Sequence, residues 1–228
     1  LITLWELGGQ DGRRYSLFSW RARMALRHKG LEFESCAVCM SDKKAIEFSG
    51  GKTVPVIRDG DHGEMRVIRD SWKIAEYLEK AYPDHSLFGG AAGLTQTFNV
   101  WVDRVIVPAM LPVVVADIHE RVDPSDRAYF RAMMEKIVKK PLEQAAAERA
   151  QALERLSRAI EPMQSALKRQ PYVSGEAPAY ADYILFSVFQ WARIMSPGEV
   201  LQPESALFAW RERVLDLFAG FARTVKIA

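Results

Sequence analysis

At 228 residues and 49% hydrophobic composition, the chain is long enough to bury one large core or two modest ones. Its 31 basic residues nearly balance 29 acidic ones, so no global field recruits nucleic acid or an anionic membrane, and any anion site must be local. The most apolar run, Val105 to Ala116, is interrupted by Pro108 and Pro112 and falls short of the roughly 20 residues that cross a bilayer. No basic-then-apolar leader precedes the first strand, and a soluble, cytoplasmic protein is expected. Cys36 and Cys39 have the spacing of a redox or metal pair, but Phe33 to Val38 reads as a strand, where residues three apart face opposite ways. A redox role is therefore not expected, and one cysteine is assigned to the core. His28, His62, His85 and His119 are scattered without ligand spacing, so no metal is expected.

In chain order, Ile2 to Leu7 is a short apolar strand ending at Gly8-Gly9. Phe18 to Lys29 is a helix, with Phe18, Ala22, Ala25, Leu26 and Lys29 along one stripe and Gly30 as its stop. Phe33 to Val38 is the second strand, and Ser41 to Phe48 a weak helix or irregular segment. Val54 to Arg58 and Met65 to Ile68 form an antiparallel hairpin across the turn-rich Asp59-Gly60-Asp61-His62-Gly63. Asp70-Ser71 starts a helix over Trp72 to Ala81 that Pro83 ends. This β-α-β-α-β-β-α order is that of a thioredoxin-like domain. The rest carries helical periods at Leu94 to Ile118, Asp126 to Val138, Leu142 to Leu167, Ala181 to Met195 and Ser205 to Phe218, as in a bundle. The expected division is a first domain over 1–83, a linker over 84–92 and an all-helical domain over 93–228.

Ser16 opens the first helix where thioredoxin-like proteins place the first cysteine of their redox pair; here the pair reads Ser16-x-x-Ser19. A hydroxyl forms no disulfide, but it can hydrogen-bond a thiolate brought by a ligand. A free thiol titrates near 8.5, so half-ionisation at neutral pH needs about 1.5 units, roughly 2 kcal/mol. A hydrogen bond to a charged group supplies about 1.5–3 kcal/mol, and the helix N-terminus about 0.3–1 kcal/mol more. Tyr15 is the competing donor, followed by Ser19, and the plainer reading of Ser16 is a helix cap.

Val54-Pro55 at a strand entrance suits either a cis bond that turns the Val54 backbone toward an extended peptide ligand, or simply an edge proline. Asp70-Ser71 is both a helix cap and a site for an amino-acid head group, its carboxylate at the helix N-terminus and its ammonium at Asp70. Lys52, with Lys43 or Lys44, can hold a second carboxylate or be merely solvated. An amino-acid head, a central thiol and a terminal carboxylate together describe glutathione.

At Y-S-L-F-S-W-R-A-R-M-A-L, T-V-P-V-I and D-S-W-K-I-A-E-Y-L, the chain resembles the glutathione transferase family over nearly its whole length. The S-x-x-S-W-R-x-R-x-A-L run is similar to serine-type members such as the zeta class. The D-S-W-x-I-A-E-Y-L spacing and the D-R-x-Y run at Asp126 to Tyr129 resemble the bacterial β-aryl etherase branch. The resemblance implies the two-domain transferase architecture, glutathione as co-substrate, a homodimer, and attack of the bound thiolate on an apolar or aromatic electrophile. It also implies a Ser or Thr cap three residues before Asp182; the position holds Ala179, at a cost of about 1 kcal/mol. The electrophile pocket is expected between the domains, bounded by the Gly8 to Arg14 loop, with Phe18, Trp101, Val105 and Pro108 lining it and Arg104 orienting an anionic group. Core packing or solvated surface is the alternative for each. Ether cleavage is one alternative reaction. A cis-trans isomerase is another, although Leu17 and Phe18 stand where that branch shows S-S-C. A non-catalytic binding module of the same fold is the third.

Overall fold

A computed structural model describes residues 1–60 and 64–228. The apolar run Ile2–Leu7 forms β1, one of the two inner strands of a four-stranded sheet ordered β2-β1-β3-β4. β2 (Phe33–Val38) lies parallel to β1, so the connection must cross over, and α1 (Leu17–His28) makes that crossover. β3 (Val56–Asp59) is antiparallel to β1, with Leu4 opposite Ile57, and β4 (Arg66–Arg69) pairs with β3. In the expected hairpin loop, Asp61, His62 and Gly63 lie outside the described residues. The weak segment after β2 is a 3-10 turn over Lys44–Ser49. α2 (Ser71–Ala81) begins one residue earlier than expected, because the Asp70 carboxylate accepts the N–H groups of Trp72 and Lys73 at 2.9 and 3.1 Å. The result is a thioredoxin-like layer followed by a helical domain.

The expected helix from Leu94 is a longer run over Ala92–Arg121, made of α3 (Ala92–Trp101), a π-turn at Val102–Ile106 and α4 (Val107–Arg121). Pro108 has no N–H to continue the regular ladder, and the chain widens by one residue just before it. By length and composition alone this run would suit a membrane span, which Val105 to Ala116 by itself did not. Here it is a core helix, with Val102, Ile106, Met110, Val114 and Ile118 fully buried. α5 (Arg127–Val138) follows. The expected helix over Leu142 to Leu167 is divided into α6 (Leu142–Ala147) and α7 (Arg149–Leu167) at Glu148, whose carboxylate is drawn to Lys140 and Gln144. α8 (Tyr180–Met195) is buried along nearly its whole length, and α9 (Ala206–Gly220) is capped by Ser205.

α8 packs along α1, and polar ties cross the seam between the two layers. The Tyr180 hydroxyl donates to the Ser71 carbonyl at 2.7 Å, and Arg13 donates to the Ile194 carbonyl at 2.8 Å. Fully buried Arg21 reaches Asp103 at 2.7 Å, Asn99 at 2.9 Å and Ser187 at 3.2 Å, so its charge is paired and each of its three nitrogens donates. At the start of α8, Ala179 supplies no side-chain acceptor, as expected, but the reciprocal half of the cap is made: Asp182 accepts the Ala179 N–H at 3.1 Å. The same buried carboxylate accepts from Val173 N, Ser174 N and Trp210 Nε1 at 2.7, 3.1 and 2.8 Å. Local capping is weak, and tertiary hydrogen bonding replaces it.

Neither cysteine belongs to the buried core, which corrects the expectation for one of them. Both are free and half-buried, because β2 is an edge strand and Cys39 lies just beyond its end.

Candidate active site

Ser16 sits at the junction of β1, α1 and the interdomain cleft. It is the N-cap of α1, its Oγ accepting the Ser19 N–H at 3.4 Å. Accepting with one lone pair leaves the hydroxyl proton free to donate elsewhere. The cap role and a thiolate-binding role are therefore compatible on one atom.

Two cavities meet at this residue, sharing Leu7, Ser16, Phe18 and Met40 as walls. The first, about 270 Å³, is edged by Lys43, Lys52, Thr53 and Val54. A third cavity shares Lys52 and Thr53 with it and runs on to Arg69, Asp70 and Lys73. The chemistry thus changes in order along one groove, from the Asp70 helix N-terminus, past an exposed lysine and the Val54 backbone, to a serine hydroxyl. The Val54-Pro55 bond is cis, and neither the Val54 N–H nor its carbonyl is hydrogen-bonded among the described residues. Pro55 is buried, and its carbonyl accepts the Asp70 N–H at 3.2 Å, linking the two halves of the groove. Asp70 has φ +76°, a costly conformation for a residue with a Cβ, so the turn into α2 is held by its surroundings. Its Oδ1 caps α2; Oδ2 has no partner among the described residues. Ser71 is buried beneath it. Lys44 does not line the groove, whereas Lys43 lies over the Tyr129 ring at 5.3 Å.

The second cavity, about 320 Å³, is the interdomain cleft. The thioredoxin-like layer lines it with Leu7, Tyr15, Ser16, Leu17, Phe18 and Met40, and the helical domain with Val107, Pro108, Leu111, Ile118, Phe130, Met134, Ile137 and Trp191. No charged side chain among the described residues lines it. Of the residues expected there, Phe18 and Pro108 are in the wall. Trp101, Arg104 and Val105 are not: Trp101 stacks on Phe98 at 5.6 Å, and Arg104 and Val105 face solvent. The π-turn lies between Trp101 and Pro108 and alters the helical phase by one residue, so a face read with regular periodicity misplaces them.

Tyr15 is 3% exposed, and its hydroxyl has no hydrogen-bond partner among the described residues. Burial above all, then the charges of Asp126, Cys39 and Asp123, pushes its phenol well above the usual tyrosine range, so it stays protonated. Ser19 is fully buried, its hydroxyl has no partner among the described residues, and it lines neither cavity.

Sequence reasoning missed the α5 wall. Phe130, Met133, Met134 and Ile137 recur with amphipathic spacing, the one local signal that this helix presents an apolar face.

Residues 15–81 match the family model for the glutathione S-transferase N-terminal domain, and residues 93–214 that for the C-terminal domain. Glutathione transferases GSTFuA3 and GSTFuA2 from Phanerochaete chrysosporium are 26% and 25% identical to this chain, with TM-scores of 0.77 and 0.78. The alignments cover 97% and 96% of this chain and 93% of each of those. The glutathione S-transferase CsGST63524 of Ceriporiopsis subvermispora, solved in complex with glutathione, shares the fold at 23% identity and a TM-score of 0.77, covering 98% of this chain and 94% of its own. With the C-terminal match alone spanning more than half of its length, this chain belongs to the glutathione S-transferase family.

Proposed function

We propose that this protein is a serine-type glutathione transferase acting on uncharged, apolar or aromatic electrophiles. One observation carries the reading: Ser16 stands where a groove edged by Lys52 and Val54 opens into a cleft lined by no charged side chain among the described residues. In this reading glutathione extends along the groove. Its amino-acid head meets Asp70 and the α2 N-terminus with Ser71, its backbone pairs with Val54 beside Pro55, and its terminal carboxylate faces Lys52. Ser16 Oγ–H donates to the sulfur, and the α1 N-terminus adds favourable potential, so the thiolate needs no general base. Tyr15 also lines the cleft and keeps its hydroxyl proton, so it is the competing donor to the sulfur, and Tyr15→Phe tests it.

The thiolate then attacks an electrophilic carbon in the cleft, forming a C–S bond as a leaving group departs with the electron pair, or as an adduct takes up a proton. Cleavage of an aryl ether fits the same scheme, with a phenolate leaving as the C–O bond breaks. Arg104 lies outside the cleft, which favours neutral acceptors over anionic ones. Cytoplasmic location and a homodimer belong to this proposal; fractionation tests the first and sedimentation velocity the second.

The test is glutathione binding by calorimetry together with turnover of chloronitrobenzene, a neutral β-aryl ether and maleylacetoacetate. Binding with conversion of a neutral aromatic acceptor is expected. Preferred conversion of maleylacetoacetate would assign the isomerase reaction. Binding with no conversion would assign the non-catalytic module, and absence of binding would end the proposal.

A further inference from the structure

We infer that Asp126 is a positioning residue that sets the width of the acceptor cleft by tying its two walls together; the inference rests on the glutathione-transfer reading above. Asp126 lies immediately before α5 and is fully buried. Its carboxylate is not spent on its own helix, where no side-chain cap bond is made. Instead Oδ2 accepts the Met40 N–H at 2.5 Å, and Oδ1 accepts the Ser41 N–H at 2.8 Å and the Ser41 hydroxyl at 2.5 Å. The donors belong to the loop leaving β2 in the thioredoxin-like layer, more than eighty residues away in sequence.

Both sides of this tie reach the cleft. Met40 is a shared wall of the two cavities that meet at Ser16, and Cys39 and Lys43 flank the same loop. On the other side, Tyr129 and Met133 line the first cavity, and Phe130 and Met134 line the second. One carboxylate with three charge-assisted bonds therefore fixes the separation of Met40 from Phe130 and Met134, the gap an acceptor must enter. Although Cys39, Met40, Lys43, Tyr129 and Met133 on the tied segments also line the groove, the groups assigned to the head, backbone and sulfur of glutathione are held by other contacts: Ser16 by α1, Val54 by the approach to β3, and Asp70 by α2 and Pro55. Loosening the tie should thus spoil acceptor placement and leave the thiol site intact.

The experiment compares the full-length protein with Asp126→Asn, which keeps one carbonyl acceptor but opposes an NH2 group to the loop amides, and with Ser41→Ala, which removes only the hydroxyl bond. KM and kcat are measured for a two-ring and a one-ring neutral acceptor, alongside glutathione Kd and the pH at which bound thiol ionises. For Asp126→Asn, KM for the two-ring acceptor should rise by about tenfold, and more than that for the one-ring acceptor. Glutathione Kd and the ionisation midpoint should stay within about twofold and 0.3 unit respectively. Ser41→Ala should move the same quantity in the same direction by a smaller factor. Equal changes in both acceptors, or a parallel rise in glutathione Kd, would overturn the assignment.

Amide hydrogen exchange at Met40 and Ser41 supplies a readout that needs no ligand. If wild-type protein fails to bind glutathione, the transfer reading falls, yet faster exchange at those amides in Asp126→Asn would still uphold the tie between the walls, and unchanged protection would refute it. Should Asp126→Asn not fold, Ser41→Ala decides by the same two measurements, and no change in either refutes the tie.

Discussion

Replacing Ser16 with alanine separates the cap role of its oxygen from the thiolate-binding role proposed for it. The first is structural: Oγ accepts the Ser19 N–H at 3.4 Å, a long bond, so losing the cap should cost about 0.5–1 kcal/mol. The second is chemical. A hydrogen bond to a thiolate is worth about 1.5–3 kcal/mol, which at 1.36 kcal/mol per unit raises the ionisation midpoint of bound thiol by about 1–2 units. The α1 N-terminus survives the substitution and keeps its contribution of about 0.3–1 kcal/mol, so the midpoint should not rise much beyond that of free thiol. At neutral pH the thiolate fraction, and with it kcat/KM, should fall by about tenfold or more, and activity should recover as pH is raised. Spectroscopic titration of thiolate absorbance in the glutathione complex reads the midpoint directly, and denaturant unfolding reads the cap. The two effects should appear on their separate scales. A midpoint unchanged within about 0.3 unit in a folded, glutathione-binding variant would refute the role assigned to Ser16, and a shift in Tyr15→Phe instead would transfer it.

Three further outcomes follow from buried polar groups. Tyr15→Phe removes a buried hydroxyl that has no partner among the described residues, so stability should be unchanged or higher by up to about 1 kcal/mol, with turnover close to wild type; chemical denaturation and steady-state kinetics check both. Asp182→Ala removes the acceptor of four N–H donors, of which Trp210 Nε1 is buried and the three backbone groups are part-buried, and at about 1–3 kcal/mol for the buried one with smaller losses for the rest the variant should lose at least about 2 kcal/mol; urea unfolding measures it. His28, half-buried with Nδ1 2.6 Å from the Tyr183 hydroxyl, has its pKa lowered, chiefly by burial. Below its ordinary value of 6.5 the unfolded chain takes up a proton that the folded one resists, so its contribution to stability falls as pH drops through 6.5 and levels off below the folded value. Unfolding free energies over that window should show this decline in wild type and a shallower one in His28→Gln.

Local chemistry determined the element order and singled out candidate groove residues. Alternation and apolar runs mark strands, 3.6-residue spacing marks helices, and glycine and proline mark their ends. Ser16, Val54-Pro55 and Asp70-Ser71 could be singled out because backbone geometry at a helix start or strand entrance depends on a few adjacent residues. The cleft was legible only in part. Phe18 and Pro108 could be placed, but Trp101, Arg104 and Val105 could not, because a π-turn ahead of a proline changes the helical phase without altering composition.

What only tertiary structure decided are the contacts whose partners lie far apart in sequence. Asp126 spends its carboxylate on amides after β2, Asp182 on donors from three segments, and Arg21 on acceptors from two other helical segments. Each is a buried charged group that must find partners once water is excluded, and which partner is near enough depends on how the helices stack on the sheet. Periodicity can announce that α5 has an apolar face; only packing decided that this face and Met40 enclose a cleft beside Ser16.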